Sequence, residues 1–165
     1  MAEERLRRPH GLRTAGGTVT GEDCVALADA LPHGRTVAGL GIDLCEVPRI
    51  ARALERHGDR FLARLFRDGE LRRPRSSPSF AEHVAGLFAA KEAAMKALGT
   101  GMRGVAFREV AVVRRPGGPP QLALYGRAAA RGRALGAAAA HVTITHTKEL
   151  AAAVVLLLGA AAAER

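Results

Sequence analysis

The chain is poor in aromatic residues and in cysteine. Its 165 residues include no tryptophan, one tyrosine and two cysteines. With no tryptophan and a single tyrosine, the chain has little with which to stack on nucleotide bases. Cys24 and Cys45 form no spaced framework of the kind found in secreted disulfide scaffolds, and this favours a reducing compartment. We therefore expect a cytoplasmic protein that does not bind nucleic acid.

Long apolar runs are also missing. The apolar stretch 150–163 is too short to span a bilayer, and Gly159 interrupts it. No apolar core follows the basic residues near the N-terminus, so a secretory signal peptide is not predicted. We expect the apolar stretch to be a core strand and the protein to have no membrane partner.

Negative charge is scarce relative to positive charge. The sequence has 25 Lys and Arg residues against 16 Asp and Glu residues, which gives a net charge of +9 and a pI near 11.1. Most of the positive charge is arginine, which suits bidentate recognition of phosphate and carboxylate groups. The charge by itself predicts an acidic partner, which could be nucleic acid, an anionic membrane, a phosphorylated ligand or an acidic protein.

The length and composition predict one globular domain with an N-terminal extension. Residues 1–36 are rich in Arg, Gly and Pro, and their one periodic segment is a short helix that Thr20 would cap and Pro32 would end. We expect residues 1–36 to be a loosely ordered extension and residues 37–165 to form the domain.

A helix with its stop signal is predicted over residues 81–101. Its apolar residues recur at intervals of three and four and form one stripe, comprising Val84, Leu87, Phe88, Met95 and Leu98. Gly99 and Gly101 supply the C-terminal cap. Lys91 lies inside the stripe, where burial of its ammonium is costly unless an anion meets it. Glu92 and Lys96 stand at its edge, either as a solvated surface pair or, with Lys91, as a site for a metal-bridged phosphate.

Residues 37–47 alternate as a half-buried strand. One face carries Leu40, Ile42 and Leu44, and the other carries Gly39, Gly41, Asp43 and Cys45. Two glycines ahead of Asp43 allow a close approach to the backbone and to its carboxylate. The alternative is a β-bulge in which Asp43 caps a turn.

A basic helix is predicted over residues 48–57, with Pro48 at its first position and Gly58 at its end. Arg49, Arg52 and Arg56 share one face of it. That face is either a solubilising surface or a grip for an acidic helix or a phosphate backbone.

The remaining elements complete an α+β pattern. A second apolar helical segment runs to Leu71, a Pro/Ser/Arg loop covers residues 72–78, and strands are predicted at 105–114 and 121–125. A helix at 126–140, weakened by Gly132 and Gly136, precedes strands at 141–147 and 150–158. This order predicts an antiparallel sheet with helices packed on one side.

Three segments carry a family resemblance. They are GLGIDLCEVPRI (39–50), FAAKEAAMKALGTG (88–101) and HVTITHTKELAAA (141–153). In this order and at these spacings the sequence resembles the holo-acyl-carrier-protein synthase group of 4′-phosphopantetheinyl transferases, over residues 37–158. The resemblance implies that the chain adopts the fold of that family.

The resemblance also implies a set of site residues. Asp43 and Glu92 match the carboxylates that hold Mg²⁺ against the pyrophosphate of coenzyme A, in keeping with the preference of Mg²⁺ for one or two carboxylates plus substrate phosphates. Lys91 and Lys96 match the lysines that flank the metal, with Lys96 the better candidate for a phosphate contact. His146 and Thr147 match the coenzyme A site.

The implied reaction is attack by a serine hydroxyl of an apo acyl carrier protein on the phosphorus that bears pantetheine, with release of adenosine 3′,5′-bisphosphate. Glu92 is the candidate general base, and Lys96 is the second candidate catalytic residue. Arg49 and Arg56 match positions that contact the acidic helix of the carrier. The resemblance further implies a homotrimer in which His146 reaches the metal site of the adjacent subunit.

Two other functions are compatible with parts of this pattern. The positive charge would suit a nucleic-acid-binding module, although no helix-turn-helix, zinc-finger or RNA-binding sheet motif is readable. The two carboxylates would also suit a Mg²⁺-dependent phosphohydrolase such as a nucleotide pyrophosphatase. The sequence does not distinguish a fatty-acid carrier from a polyketide carrier.

Overall fold

The computed structural model describes residues 13–14, 17–18 and 35–161. The chain divides into two units, residues 1–33 and 34–165. In the first unit, β1 (Arg13–Thr14) pairs with β2 (Gly17–Thr18) in antiparallel orientation. The helix predicted between Thr20 and Pro32 lies outside the described residues, and the loosely ordered extension stays a prediction.

The second unit contains five strands and four helices in its described residues. In order, its elements are β3 (Arg35–Glu46), α1 (Val47–Leu65), α2 (Phe80–Ala97), α3 (Gly101–Gly104), a 3₁₀ turn (Phe107–Glu109), β4 (Val110–Arg114), β5 (Pro120–Leu124), α4 (Gly126–Ala134), β6 (Ala137–His146) and β7 (Leu150–Ala161). β3, β7 and β6 form an antiparallel sheet in that order, and β4 pairs with β5 in a separate antiparallel hairpin. The predicted α+β class is confirmed. No helix within the described residues is long and apolar enough to cross a membrane.

The two faces of the sheet differ in burial. Along β3, Gly41, Asp43 and Cys45 are buried against α2, whereas the leucine and isoleucine side chains between them are exposed. α2 also packs on β7, so the predicted helix-on-one-side arrangement is present. The opposite face of the sheet is left open within the described residues.

Glycines in β3 allow α2 to lie unusually close to the sheet. A Cβ on Gly39 would overlap the carbonyl group of Ala97, and a Cβ on Gly41 would overlap that of Ala93. The close approach that the sequence predicted at these glycines is therefore made by the backbone of α2. This packing brings the last turns of α2 against Asp43 on the same strand.

Gly58 interrupts α1 with non-helical backbone angles, φ 47° and ψ −124°. The sequence predicted that the basic helix would end there, and the structure shows a kink followed by a second helical segment. Leu62 and Leu65 in that segment return to the core. The second segment ends at Leu65 and not at Leu71, because the chain then turns so that Glu70 can enter the interior.

Two predicted boundaries are wrong. Residues 105–109 were expected to begin a strand, but they include a 3₁₀ turn. The helix predicted over 126–140 ends at Ala134, and Gly136 follows with φ 69°. β6 then starts at Ala137, because pairing with β7 outweighs the helix preference of its alanines.

Candidate active site

Asp43 and Glu92 meet where α2 crosses β3. Asp43 is 7% exposed. The ammonium of Lys96 donates to Asp43 Oδ1 at 2.8 Å and to the carbonyl oxygen of Ile42 at 3.0 Å. Asp43 Oδ2 is buried and has no hydrogen-bond partner. One oxygen of a buried carboxylate is thus left free to bind a cation.

The electrostatics of Glu92 reflect its neighbour Asp43. Burial and then the negative charge of Asp43 raise the pKa of Glu92, while the positive charges of Lys96 and Arg49 oppose the rise. The hydrogen bond to Asp43 raises the pKa of Lys96. Two carboxylates held together in this way repel each other unless a cation lies between them.

The donor set fits a hard divalent cation. In the described part of the chain, no three His, Cys, Asp or Glu side chains come together as a complete protein cage. Mg²⁺ is usually held by one or two carboxylates, and water and substrate phosphates supply its other ligands. Asp43 and Glu92 provide such a pair, and their assignment as metal ligands stays a prediction.

Lys91 is a correction to the sequence interpretation. It was predicted to contact coenzyme A, but its side chain is 0% exposed and its ammonium lies 3.0 Å and 2.9 Å from the two carboxylate oxygens of Glu70. It also donates to the carbonyl oxygen of Phe107 at 3.1 Å and to that of Val110. Burial lowers the pKa of Lys91, and the charge of Glu70 opposes this. The anion that burial of the Lys91 ammonium requires is therefore the carboxylate of Glu70 in the same chain.

Cys45 lies on the same face of β3 as Asp43. Its thiol is buried, and burial raises its pKa to about 11. The thiol therefore stays protonated near neutral pH and does not act as a thiolate nucleophile in the metal-free protein.

A basic cavity of about 490 Å³ opens beside the first turns of α2. Arg72, Arg73 and Arg114 line it, together with Glu70, Pro74, His83, Gly86, Leu87, Val112, Pro120, Ile144 and His146. Burial, followed by the charges of Arg73, Arg114 and His146, lowers the pKa of His83. Of these residues, only His146 was predicted from the sequence to belong to a functional site. The arginines of the 72–78 loop were visible, but nothing in their spacing tied them to β4 or β6.

His146 is not next to the carboxylate pair of its own chain. Its Nδ1 lies 3.6 Å from Glu82 Oε2, in the first turn of α2. Glu82 and Glu92 are ten helical residues apart, or about 15 Å along the axis. Within one chain, the cavity and the carboxylate pair are therefore separate subsites.

Thr147 shapes the turn between β6 and β7. Its hydroxyl accepts hydrogen bonds from the backbone N–H groups of Glu149 at 3.2 Å and Leu150 at 3.1 Å. The structure thus shows a turn-forming role, and the predicted contact with coenzyme A is not tested.

The basic face of α1 forms a shallow groove of about 220 Å³, lined by Arg49, Arg52, Ala53, Arg56 and His57. Arg49 also acts electrostatically on Glu92. The Arg49 end of the groove therefore lies near the carboxylate pair.

Comparison with known proteins assigns the family. A sequence model described as the 4′-phosphopantetheinyl transferase superfamily matches residues 39–155. The chain belongs to this superfamily. The match includes the β3 and α2 residues of the carboxylate pair.

Individual relatives narrow the assignment. The chain is 48% identical over 122 residues to a holo-[acyl-carrier-protein] synthase of Koribacter versatilis, covering 73% of this chain and 98% of that protein. It is 52% identical over 124 residues to one of Solidesulfovibrio magneticus, covering 74% and 99%. These matches confirm the predicted holo-acyl-carrier-protein synthase type within the phosphopantetheinyl transferases.

Solved structures of the same enzyme type share the fold. The Bacillus anthracis synthase in complex with coenzyme A matches with a TM-score of 0.61 and 32% identity, covering 75% of this chain and 98% of that one. The Helicobacter pylori synthase in complex with coenzyme A matches with a TM-score of 0.62 and 26% identity, covering 72% and 98%.

Proposed function

We propose that the chain transfers 4′-phosphopantetheine from coenzyme A to a serine of an apo acyl carrier protein, with Mg²⁺ bound, and releases adenosine 3′,5′-bisphosphate. The observation that carries this proposal is the pairing of Asp43 with Glu92 and the buried, unpartnered Oδ2 of Asp43. The family and its coenzyme A-bound relatives support the substrate.

Asp43 and Glu92 would hold the Mg²⁺ ion. When bound, the ion neutralises charge that develops on the phosphate oxygens during transfer. Lys96 already donates to Asp43, and its side chain is half exposed, so its ammonium can also reach a phosphate oxygen. Glu92 is the candidate general base that would take the proton of the attacking serine. The serine oxygen then bonds to phosphorus as the bond to adenosine bisphosphate breaks.

Coenzyme A also carries a phosphate on its ribose, and the basic cavity suits this group. Arg72, Arg73 and Arg114 offer guanidinium groups to it, and arginine binds phosphate bidentately. His146 lies at the same cavity. We assign the nucleotide end of coenzyme A to this cavity.

A homotrimer would bring a cavity and a carboxylate pair together. Leu40, Ile42 and Leu44 are each at least 60% exposed on the open face of the sheet, beside the partly exposed Val154 of β7. A contiguous apolar face of this kind marks an association surface. His146 contacts Glu82 in the first turn of α2, far along that helix from Glu92. This distance further supports a site that a neighbouring subunit completes.

The groove on α1 suits an acidic helix of the carrier protein. Arg49, Arg52 and Arg56 supply complementary charge beside the carboxylate pair. The free, buried thiol of Cys45 is in keeping with the predicted cytoplasmic location.

Incubation with apo carrier protein, coenzyme A and Mg²⁺, read by intact mass, tests the proposal. We expect one phosphopantetheine to be added to each carrier, and adenosine bisphosphate to be released only when apo carrier is present. Release without carrier would indicate a pyrophosphatase. Salt-dependent DNA binding without transfer would indicate a nucleic-acid-binding protein.

A further inference from the structure

The buried ion pair between Lys91 and Glu70 connects two regions that the proposed function uses separately. Lys91 directly precedes Glu92 on α2, and Glu70 lies two residues before Arg72 in the loop between α1 and α2 that brings Arg72 and Arg73 to the cavity. We propose that Glu70 is a positioning residue for coenzyme A, which fixes this loop against α2 so that its arginines meet the nucleotide phosphate. The inference rests on the proposed function.

One carboxylate holds three segments of the chain. Glu70 Oε1 accepts the backbone N–H of Arg67 at 2.6 Å, in the loop after α1. Oε2 accepts the backbone N–H of Val112 at 2.9 Å, in β4. Both oxygens lie within 3.0 Å of the Lys91 ammonium on α2. Glu70 and Val112 also line the cavity, so this junction is part of its wall.

The junction has little freedom to rearrange. The ammonium of Lys91 also donates to the carbonyl oxygens of Phe107 and Val110, so its donors are satisfied. Lys91 is 0% exposed and Glu70 4% exposed. Because a shift of either partner would leave a buried charge without its counter-charge, the pair favours a single geometry. In contrast, the pair of Arg75 and Asp59 is exposed on both sides and can exchange with water.

Positioning and stability make different demands on this pair. Apolar side chains of similar volume can replace a buried ion pair without loss of stability. They cannot accept the N–H groups of Arg67 and Val112, which tie the loop and β4 to the cavity wall. A variant that keeps the fold but loses these acceptors therefore separates the two roles.

The first variant is Glu70→Asp, which keeps the charge opposite Lys91 but is one methylene too short to reach both backbone N–H groups. We expect KM for coenzyme A to rise about tenfold while kcat stays within about threefold of the parent value. The conservative charge is kept, so Lys91 is not left unpaired.

Glu109→Asp is the matched control. Glu109 also accepts two backbone N–H groups, from Ala106 at 2.7 Å and Arg127 at 2.8 Å, but it does not line the cavity. We expect this variant to lower the melting temperature and to leave both KM and kcat unchanged.

A second variant, Glu70→Leu with Lys91→Met, removes both charges together. We expect it to melt above the Glu70→Leu single variant and to keep a raised KM for coenzyme A. A folded variant, either this one or Glu70→Asp, with the parent KM would overturn the proposal. A fall in kcat with unchanged KM would also overturn it. Failure of both variants to fold would overturn it as well, because the ion pair would then have a structural role alone.

Calorimetry with adenosine 3′,5′-bisphosphate repeats the comparison without turnover. Weaker binding by Glu70→Asp supports the positioning role even if the parent chain transfers nothing to a carrier. Failure of that transfer would contradict only the proposed reaction. Equal affinity in parent and variant would overturn the positioning role. Absence of binding by the parent would overturn the positioning role, while the carrier assay alone decides the proposed reaction.

Discussion

Lys96 Nζ lies 2.8 Å from Asp43 Oδ1, while Oδ2 of the same carboxylate is buried without a partner. This asymmetry orients the carboxylate, because one oxygen is anchored to the end of α2 and the other is left for a cation. Glu92, four residues before Lys96, supplies the second carboxylate.

Glu92→Gln should abolish turnover and leave weak binding of coenzyme A, because the amide cannot replace a carboxylate ligand or take a proton. The measurement is intact mass of the carrier over time, with calorimetry for coenzyme A. Turnover near the parent rate would remove Glu92 from the mechanism.

The same variant should stabilise the metal-free protein at neutral pH. The pKa of Glu92 is raised in the folded state above its ordinary 4.5. Between the unfolded and folded pKa values the folded protein therefore binds more protons than the unfolded chain. The free energy of unfolding falls as pH rises between those two values. Glutamine removes this loss. We expect a melting temperature above that of the parent at pH 7 and no difference below pH 4.5, in thermal scans with chelator. A lower melting temperature at pH 7 would contradict the assigned environment.

Gly41→Ala should destabilise the fold and impair activity together. Its Cβ would overlap the carbonyl group of Ala93, so α2 must move away from β3, and overpacking of this kind costs about 1–3 kcal/mol. The movement also separates Asp43 from Glu92. Gly118→Ala is the control, because its Cβ meets only Arg115, at 3.5 Å or more. Chemical denaturation would contradict the packing account if the two variants were equally stable.

The sequence contained the signals for the crossing of α2 and β3 but not for its surroundings. The period of α2, the alternation of β3 and the glycines before Asp43 are local, and they predicted the strand, the helix and their carboxylates. The break at Gly58 was local too. Glu70 was missed because its partner Lys91 is 21 residues away and Glu70 itself lay in a segment that was expected to continue as helix. The cavity was missed because its arginines come from a loop and a separate hairpin.

Ile42→Asp should dissociate the proposed trimer. Ile42 is 60% exposed at the centre of the open sheet face, where a charge cannot be buried between subunits. Sedimentation should show the parent as a trimer and the variant as a monomer with reduced transfer activity. Val113→Asp is the control, since Val113 is exposed on the β4–β5 hairpin and should not affect assembly. An active parent monomer would contradict the trimer.

Glu109 should contribute to the acid sensitivity of the fold. Hydrogen bonds from the backbone N–H groups of Ala106 and Arg127 hold its pKa at about 2, below its ordinary 4.5. Its stabilising contribution is therefore complete above pH 4.5 and is lost as pH falls toward 2. Glu109→Gln should flatten the dependence of unfolding free energy on pH in this window. An unchanged acid slope would show that these hydrogen bonds to Glu109 do not form.

Binding of a divalent cation tests the central claim most directly. Mn²⁺, which binds oxygen ligands as Mg²⁺ does and is visible by electron paramagnetic resonance, should be titrated in the presence of coenzyme A into the parent, Asp43→Asn and Glu92→Gln chains. We predict one bound ion per parent chain and loss of that site in both variants. Undiminished binding in either variant would contradict the account that these two carboxylates hold the ion.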